Sequence, residues 1–178
     1  ELADFYALGG RAIAEMTACG WGRDVAVLKD ISERAHIHVI AISGFYVEDC
    51  LPDFVFTDSI DQLADRIVQE ITAGADGTDI RTGLIKSGIS RPIIEGIEAK
   101  CARAVARAQV RTGVAITTHT TAASRFEIEG GNVGVQHLEL FESEGVDPSR
   151  LIIGHTDENA DIRQLVALAQ RGCYIQFD

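Results

Sequence analysis

The sequence predicts an α/β protein built on parallel strands, and three observations carry that expectation. Apolar strand-like runs and amphipathic helical stretches alternate six times along 178 residues, the pattern of right-handed β–α–β crossovers. The runs are nearly continuous in apolar residues, as in HVIAIS (38–43), which suits strands covered on both faces. Three runs close on a chemically capable side chain: Lys86 in IRTGLIKSG, His119 in AITTHT and His155 in LIIGHTDE. A doubly wound open sheet and a (β/α)8 barrel both satisfy the first two observations. The third favours the barrel, where polar groups at the C-terminal ends of different strands meet at one mouth. No Gly-x-Gly-x-x-Gly follows a first strand, so a dinucleotide site lacks its fingerprint. Six strands leave a barrel two short.

Composition narrows the partners. A length of 178 residues with 46% hydrophobic side chains is enough for one domain with a real core, and no linker or repeat divides it. A net charge of -11 argues against nucleic acid and anionic membrane surfaces. No apolar run approaches the 18 or so residues of a spanning helix. The opening ELADFYALGGRAIAEMT carries no basic leader or cleavage pattern, and it starts on Glu1 instead of Met, so residues are expected upstream. Cys19, Cys50, Cys101 and Cys173 form no Cys-x-x-Cys pair. They read as free thiols of a reducing compartment, with the cytoplasm as the expected location.

In order, residues 12–17 (AIAEMT) read as a strand, and CGWGRD follows as a loop with Asp24 as an N-cap. Val25, Leu28 and Ile31 give a short helix to about Arg34, and the strand 38–43 ends at Gly44. Ser59 and Gln62 form a capping box before a helix that buries Ile60, Leu63, Ala64, Ile67 and Ile71. The stretch Ile80–Gly88 reads as a strand that ends at Lys86. A helix from about Ile93 to Thr112 turns Ile94, Ile97, Cys101, Ala104, Val105 and Ala108 inward and stops at Gly113. The strand to His119 comes next, then a polar loop over 120–134. A helix with Val135, Leu138 and Phe141 inward leads through Asp147-Pro148 to the strand Leu151–Gly154. A last helix buries Ile162, Leu165, Val166 and Ala169, and a strand over Cys173–Phe177 closes the chain.

The strand-end residues suggest one site. Imidazole is a good ligand for zinc and similar divalent ions, so His119 and His155 read as a metal pair. A charged lysine beside them would repel the ion. Burial lowers a lysine's pKa, and a neutral Lys86 amine reacts with carbon dioxide to give a carbamate, an anionic oxygen ligand able to bridge two metals. The other reading keeps Lys86 charged to hold an anionic substrate. His36 and His38 resemble a metal motif but begin a strand, which places them at the opposite face of a barrel, in a structural role. His137, on a helix, reads as structural too.

Five segments in order and spacing, GRDV, ISGFY, GLIK, TTHT and FESEGVDPSRLIIGH, resemble the phosphotriesterase family of the amidohydrolase superfamily along nearly the whole chain. That family includes phosphotriesterases, phosphotriesterase-like lactonases and phosphotriesterase-related proteins. The resemblance implies a (β/α)8 barrel, here strands two to seven, with a binuclear metal centre. Lys86 matches the carboxylated bridging lysine, and His119 and His155 match the ligands of the more exposed metal. The family's first-strand His-x-His and eighth-strand aspartate have no counterpart in this chain, and Asp178, at the end of the seventh strand, does not match that aspartate.

The resemblance further implies a metal-dependent hydrolase of neutral lactones, esters or phosphotriesters, with lactone or ester hydrolysis preferred. It implies two divalent ions, zinc before cobalt, manganese or iron, carbon dioxide for the carbamate, and a homodimer. Asp157 or Glu158 matches a proton-relay position. Tyr46 matches a pocket aromatic of the lactonase-like members, where its hydroxyl would reach a substrate oxygen. The loop after His119 is expected to be longer than in the phosphotriesterases proper. The alternative function is a truncated or non-catalytic barrel that binds a small molecule.

Overall fold

Every strand in the computed structural model, which describes residues 1–120, 133–158 and 161–177, runs parallel to its neighbour and follows it in chain order. The strands are β1 (Ala12–Ala14), β2 (His38–Ile40), β3 (Ile42–Phe45), β4 (Leu84–Ile89), β5 (Ile116–Thr120), β6 (Leu151–Ile153) and β7 (Tyr174–Ile175). β2 and β3 are one run interrupted at Ala41, whose carbonyl accepts from Gly83 N–H. The sheet β1–β2 and the sheet β3-β4-β5-β6-β7 therefore form six strand positions without a reversal of order. A doubly wound sheet needs that reversal, so the order fits consecutive β/α units of a barrel wall. Among the described residues β1 pairs with β2 alone and β7 with β6 alone.

The helices are α1 (Leu2–Ala7), α2 (Val25–Ala35), α3 (Phe54–Thr57), α4 (Ile60–Thr72), α5 (Gly96–Thr112), α6 (Val133–Ser143) and α7 (Ile162–Gln170). Local chemistry sets their ends. Asp24 accepts from Ala26 and Val27 N–H at the start of α2. At α4 the Ser59 side chain accepts from Gln62 N–H while Gln62 accepts from Ser59 N–H, worth about 1 kcal/mol. Gly113 closes α5 in the left-handed region at φ 71.

The core lies between sheet and helices. Leu63, Ala64 and Ile67 of α4, Ala104, Val105 and Ala108 of α5, and Leu138 and Phe141 of α6 pack with Ile85, Ile116 and Leu151 of the strands. The alanines of α5 let its backbone come close to the sheet. No helix of the described residues is long and apolar enough to cross a membrane. All four cysteines are free, and burial pushes the Cys101 thiol up to about 12.

Several sequence expectations need correction. The Lys86 strand begins at Leu84, not Ile80, and continues to Ile89, so Lys86 is an interior residue of β4. Pairing to β5 carries the strand on, since Ile89 is in register with Thr120. Gly44 lies within β3 instead of ending it. Its φ is 91, and a Cβ there would stand 2.2 Å from the Lys86 carbonyl oxygen. α5 starts at Gly96, three residues late, and Ile93 is exposed. In α7 only Leu165 and Leu168 are buried, and Ile162 and Val166 are exposed. Those two are spaced i, i+4, so they share a stripe turned away from the one that packs.

Candidate functional site

Register brings the predicted residues together. Gly44 of β3 lies opposite Lys86 of β4, and Gly88 of β4 lies opposite His119 of β5. Alternate residues of a strand share a face, so Lys86, Gly88 and His119 lie on one side of the sheet. Lys86 is 7% exposed, a rare state for lysine. Two glycines make the space. Gly44 lets β3 pass beside the Lys86 backbone. At Gly88 a Cβ would lie 2.9–3.0 Å from the Tyr46 backbone and ring, so this glycine lets Tyr46 cross above β4 towards His119.

Three side chains meet there. Tyr46 Oη lies 3.1 Å from His119 Nε2, and His119 Nδ1 lies 2.7 Å from His155 Nε2. The rings contact edge to face, with centroids 4.9 Å apart for Tyr46 and His119 and 4.5 Å for the two histidines. Burial raises the Tyr46 phenol above its usual value, so it keeps its proton. Trp21, in the β1–α2 loop, stacks on Tyr46 at 4.6 Å with a 12° interplanar angle.

His155 sits two residues beyond β6 in the left-handed region at φ 53. Threonines hold it there. Thr118 Oγ1 accepts from Gly154 N–H, and Thr120 Oγ1 donates to the Gly154 carbonyl. Thr156 donates through both N–H and Oγ1 to the Gln176 carbonyl. Asp157 and Glu158 follow in one 3-10 turn; Asp157 is exposed, and Glu158 is half-buried with Oε2 shielded from solvent.

The donor set fits a divalent cation. Two imidazole nitrogens face each other at 2.7 Å, and such a pair needs a proton or a cation between its lone pairs. Two nitrogens on one tetrahedral zinc stand about 3.3 Å apart, so the rings need to spread by roughly half an ångström. Among the described residues no group of three or more His, Cys, Asp and Glu side chains converges on one point; the two histidines stand with Lys86. His36 caps α2 at φ 54, and His38 opens β2, at the end of the strands away from this cluster. The loop over 121–132 and Asp178 lie outside the described residues.

Sequence reasoning singled out neither Trp21 nor Arg23, and its structural reading of His137 agrees with the burial of that residue. Trp21 carried no periodic signal; the glycines on either side, both near φ 90, were its only mark. His137 is fully buried on α6, with Nε2 at 3.5 Å from Ser87 Oγ and its ring stacked on Phe141. Burial, helped by the nearby His119 and Lys86, lowers its pKa to about 3. Arg23, in the GRDV segment, spans Glu70 and Asp76 with paired contacts of 2.6–3.1 Å and donates to the Ile42 carbonyl. Burial opposes its charge, but these bonds outweigh that and raise its pKa. The pair of carboxylates ties the loop that carries Trp21 to α4.

With this geometry in hand, comparison with known proteins is specific. The phosphotriesterase family model matches residues 1–178. The chain is 34% identical over 179 residues to the phosphotriesterase homology protein of Escherichia coli, covering all of this chain and 59% of that protein. It is 35% identical to human N-acetyltaurine hydrolase over 180 residues, covering 49% of that protein. A crystal structure of the Escherichia coli phosphotriesterase homology protein, with phosphate in its active site, superposes on 99% of this chain with a TM-score of 0.91 and 33% identity. The chain thus spans about half of the length of the curated relatives it matches, and its strands are about six units of a (β/α)8 barrel. On sequence and on structure, the chain belongs to the phosphotriesterase family.

Proposed function

We propose that this chain is the central part of a metal-dependent hydrolase acting on an acyl or phosphoryl centre. The observation that carries the reading is the convergence of His119 Nδ1 and His155 Nε2 at 2.7 Å on the face of the sheet that buries Lys86. His119 and His155 would hold a divalent ion through their imidazole nitrogens, and Lys86, as a carbamate, would add anionic oxygen ligands. A divalent ion supplies Lewis acidity toward a carbonyl or phosphoryl oxygen and a water acidic enough to attack near neutral pH. Zinc leads cobalt, manganese and iron, all of which accept imidazole and oxygen ligands.

The protein's own groups do the rest. Asp157 or Glu158, in the turn after His155, takes the proton released on attack. Tyr46 keeps its proton and donates to a substrate oxygen from beside His119. Relatives named N-acetyltaurine hydrolase add N-acyl amides to the lactones, esters and phosphotriesters, and they support an acyl carbon as the reacting centre. The substrate is a small molecule, and the enzyme works as a cytoplasmic homodimer.

A second reading has one observation in its favour. Among the described residues no third His, Cys, Asp or Glu side chain joins His119 and His155, which suits a barrel that binds a small molecule without turnover. Elemental analysis of the purified protein, with zinc-loaded assays on an N-acyl aminosulfonate, a lactone and a phosphotriester, separates the two. About two ions per chain, with metal and turnover both lost in the His119→Ala, His155→Ala double variant, is the expected result. A metal content that the double variant leaves unchanged would sink the hydrolase reading.

A further inference from the structure

We infer that Tyr46 is a positioning residue for His119, and that Trp21 holds Tyr46 in that role. The inference rests on the metal-site reading above, but its first test does not need a metal.

The three rings form one hydrogen-bonded chain, Tyr46 Oη to His119 Nε2 at 3.1 Å and His119 Nδ1 to His155 Nε2 at 2.7 Å. Two proton arrangements satisfy it. In one, His155 Nε2–H donates to His119 Nδ1, and His119 Nε2–H donates to Tyr46. In the other, Tyr46 donates to His119 Nε2, and His119 Nδ1–H donates to His155. Only the first leaves a lone pair on Nδ1, the nitrogen that faces His155. A ligating imidazole orients itself and fixes its tautomer by giving its other N–H to an acceptor. Tyr46 is placed to be that acceptor. A phenol that accepts from His119 still has its own proton to donate outward.

The surroundings are built to keep Tyr46 there. Gly88 has no side chain to block the crossing: a Cβ would lie 2.9 Å from the Tyr46 carbonyl carbon and 3.0 Å from Cα and Cδ2. Trp21 covers the other ring face at 4.6 Å. The loop that presents Trp21 is pinned by Gly20 at φ 88, where a Cβ would stand 2.6 Å from the Cys50 carbonyl and 2.8 Å from Pro52. The indole is about half exposed, so most of its cover over Tyr46 comes from the stack itself, not from burial in a core.

Tyr46→Phe keeps the stack and removes the hydroxyl. Trp21→Ala keeps the hydroxyl and removes the stack, and Trp21→Phe restores an aromatic face. In metal-free protein, nitrogen-15 shifts of the His119 ring read its tautomer directly. The expected result is predominantly Nε2–H in the parent and a mixed population in Tyr46→Phe. Zinc affinity, read by competition with a chromophoric chelator, should fall by about 10–100-fold in Tyr46→Phe, fall less in Trp21→Ala, and recover in Trp21→Phe. The fluorescence of Trp21, the only tryptophan, reports that the stack survives in Tyr46→Phe. An unchanged His119 tautomer in Tyr46→Phe overturns the inference, as does parental zinc affinity in that variant. If the parent binds no zinc, the hydrolase reading fails while the tautomer result still decides the Tyr46–His119 link.

Discussion

The middle of the strand wall and its two ends are built differently. β4 and β5 have partners on both sides and carry Lys86 and His119 between buried layers. At the ends, β1 and β7 each have one partner among the described residues, and Tyr174 and Phe177 are mostly exposed. Lys86 and His119 thus sit on strands paired on both sides, whereas Tyr46 and His155 follow strand ends. Positions that must hold within about 0.5 Å are held best on strands locked by neighbours.

The largest effects are expected at the centre of the strand wall. Lys86→Met or His119→Ala should cut the proposed hydrolysis on the order of 10³-fold or more with the fold retained, as kcat/KM and circular dichroism would record. Equal losses from changes at β7 would mean that the centre is not privileged. In the core behind the wall, Phe141→Ala should cost about 3–5 kcal/mol, read from denaturant midpoints, since this ring is fully buried against Leu138 and the strands. Arg23→Leu should cost about 3 kcal/mol by leaving Glu70 and Asp76 without their shared cation. It should also loosen the Trp21 loop, visible in tryptophan emission.

A pH series sharpens the picture of the layer under the site. His137 is held neutral in the folded chain down to about 3, while the unfolded chain takes up that proton near 6.5. The unfolded state thus binds more protons between those values, and stability falls as pH drops through 6.5. The loss from this residue should reach about 2 kcal/mol between pH 7 and pH 5, and His137→Met should remove that part of the slope. The smallest effect belongs to the edge: Ile162→Asn should change stability by no more than about 0.5 kcal/mol, because Ile162 is 71% exposed.

Much of the architecture was legible in the residues. The Asp24 cap, the Ser59–Gln62 box and the Gly113 stop all lie where local chemistry demands. Strand positions were right and their limits were not. Lys86 read as a strand end, yet pairing to β5 carries the strand through Gly88 to Ile89. Ile162 and Val166 read as core because helical period shows a stripe but not which stripe finds a partner.

The sequence by itself determined the order and kind of elements, the absence of a dinucleotide fingerprint, and the trio Lys86, His119 and His155, because caps, periodicity and residue chemistry are local properties. Only the tertiary structure decided what those residues touch. Tyr46 and His119 are 73 positions apart, and nothing in either segment announces the other. Trp21 reaches Tyr46 because a glycine-flanked loop folds against Cys50 and Pro52. Parallel register sets such meetings: side chains far apart in the chain become neighbours only when strands align, and a one-residue slip would turn every one of them to the other face.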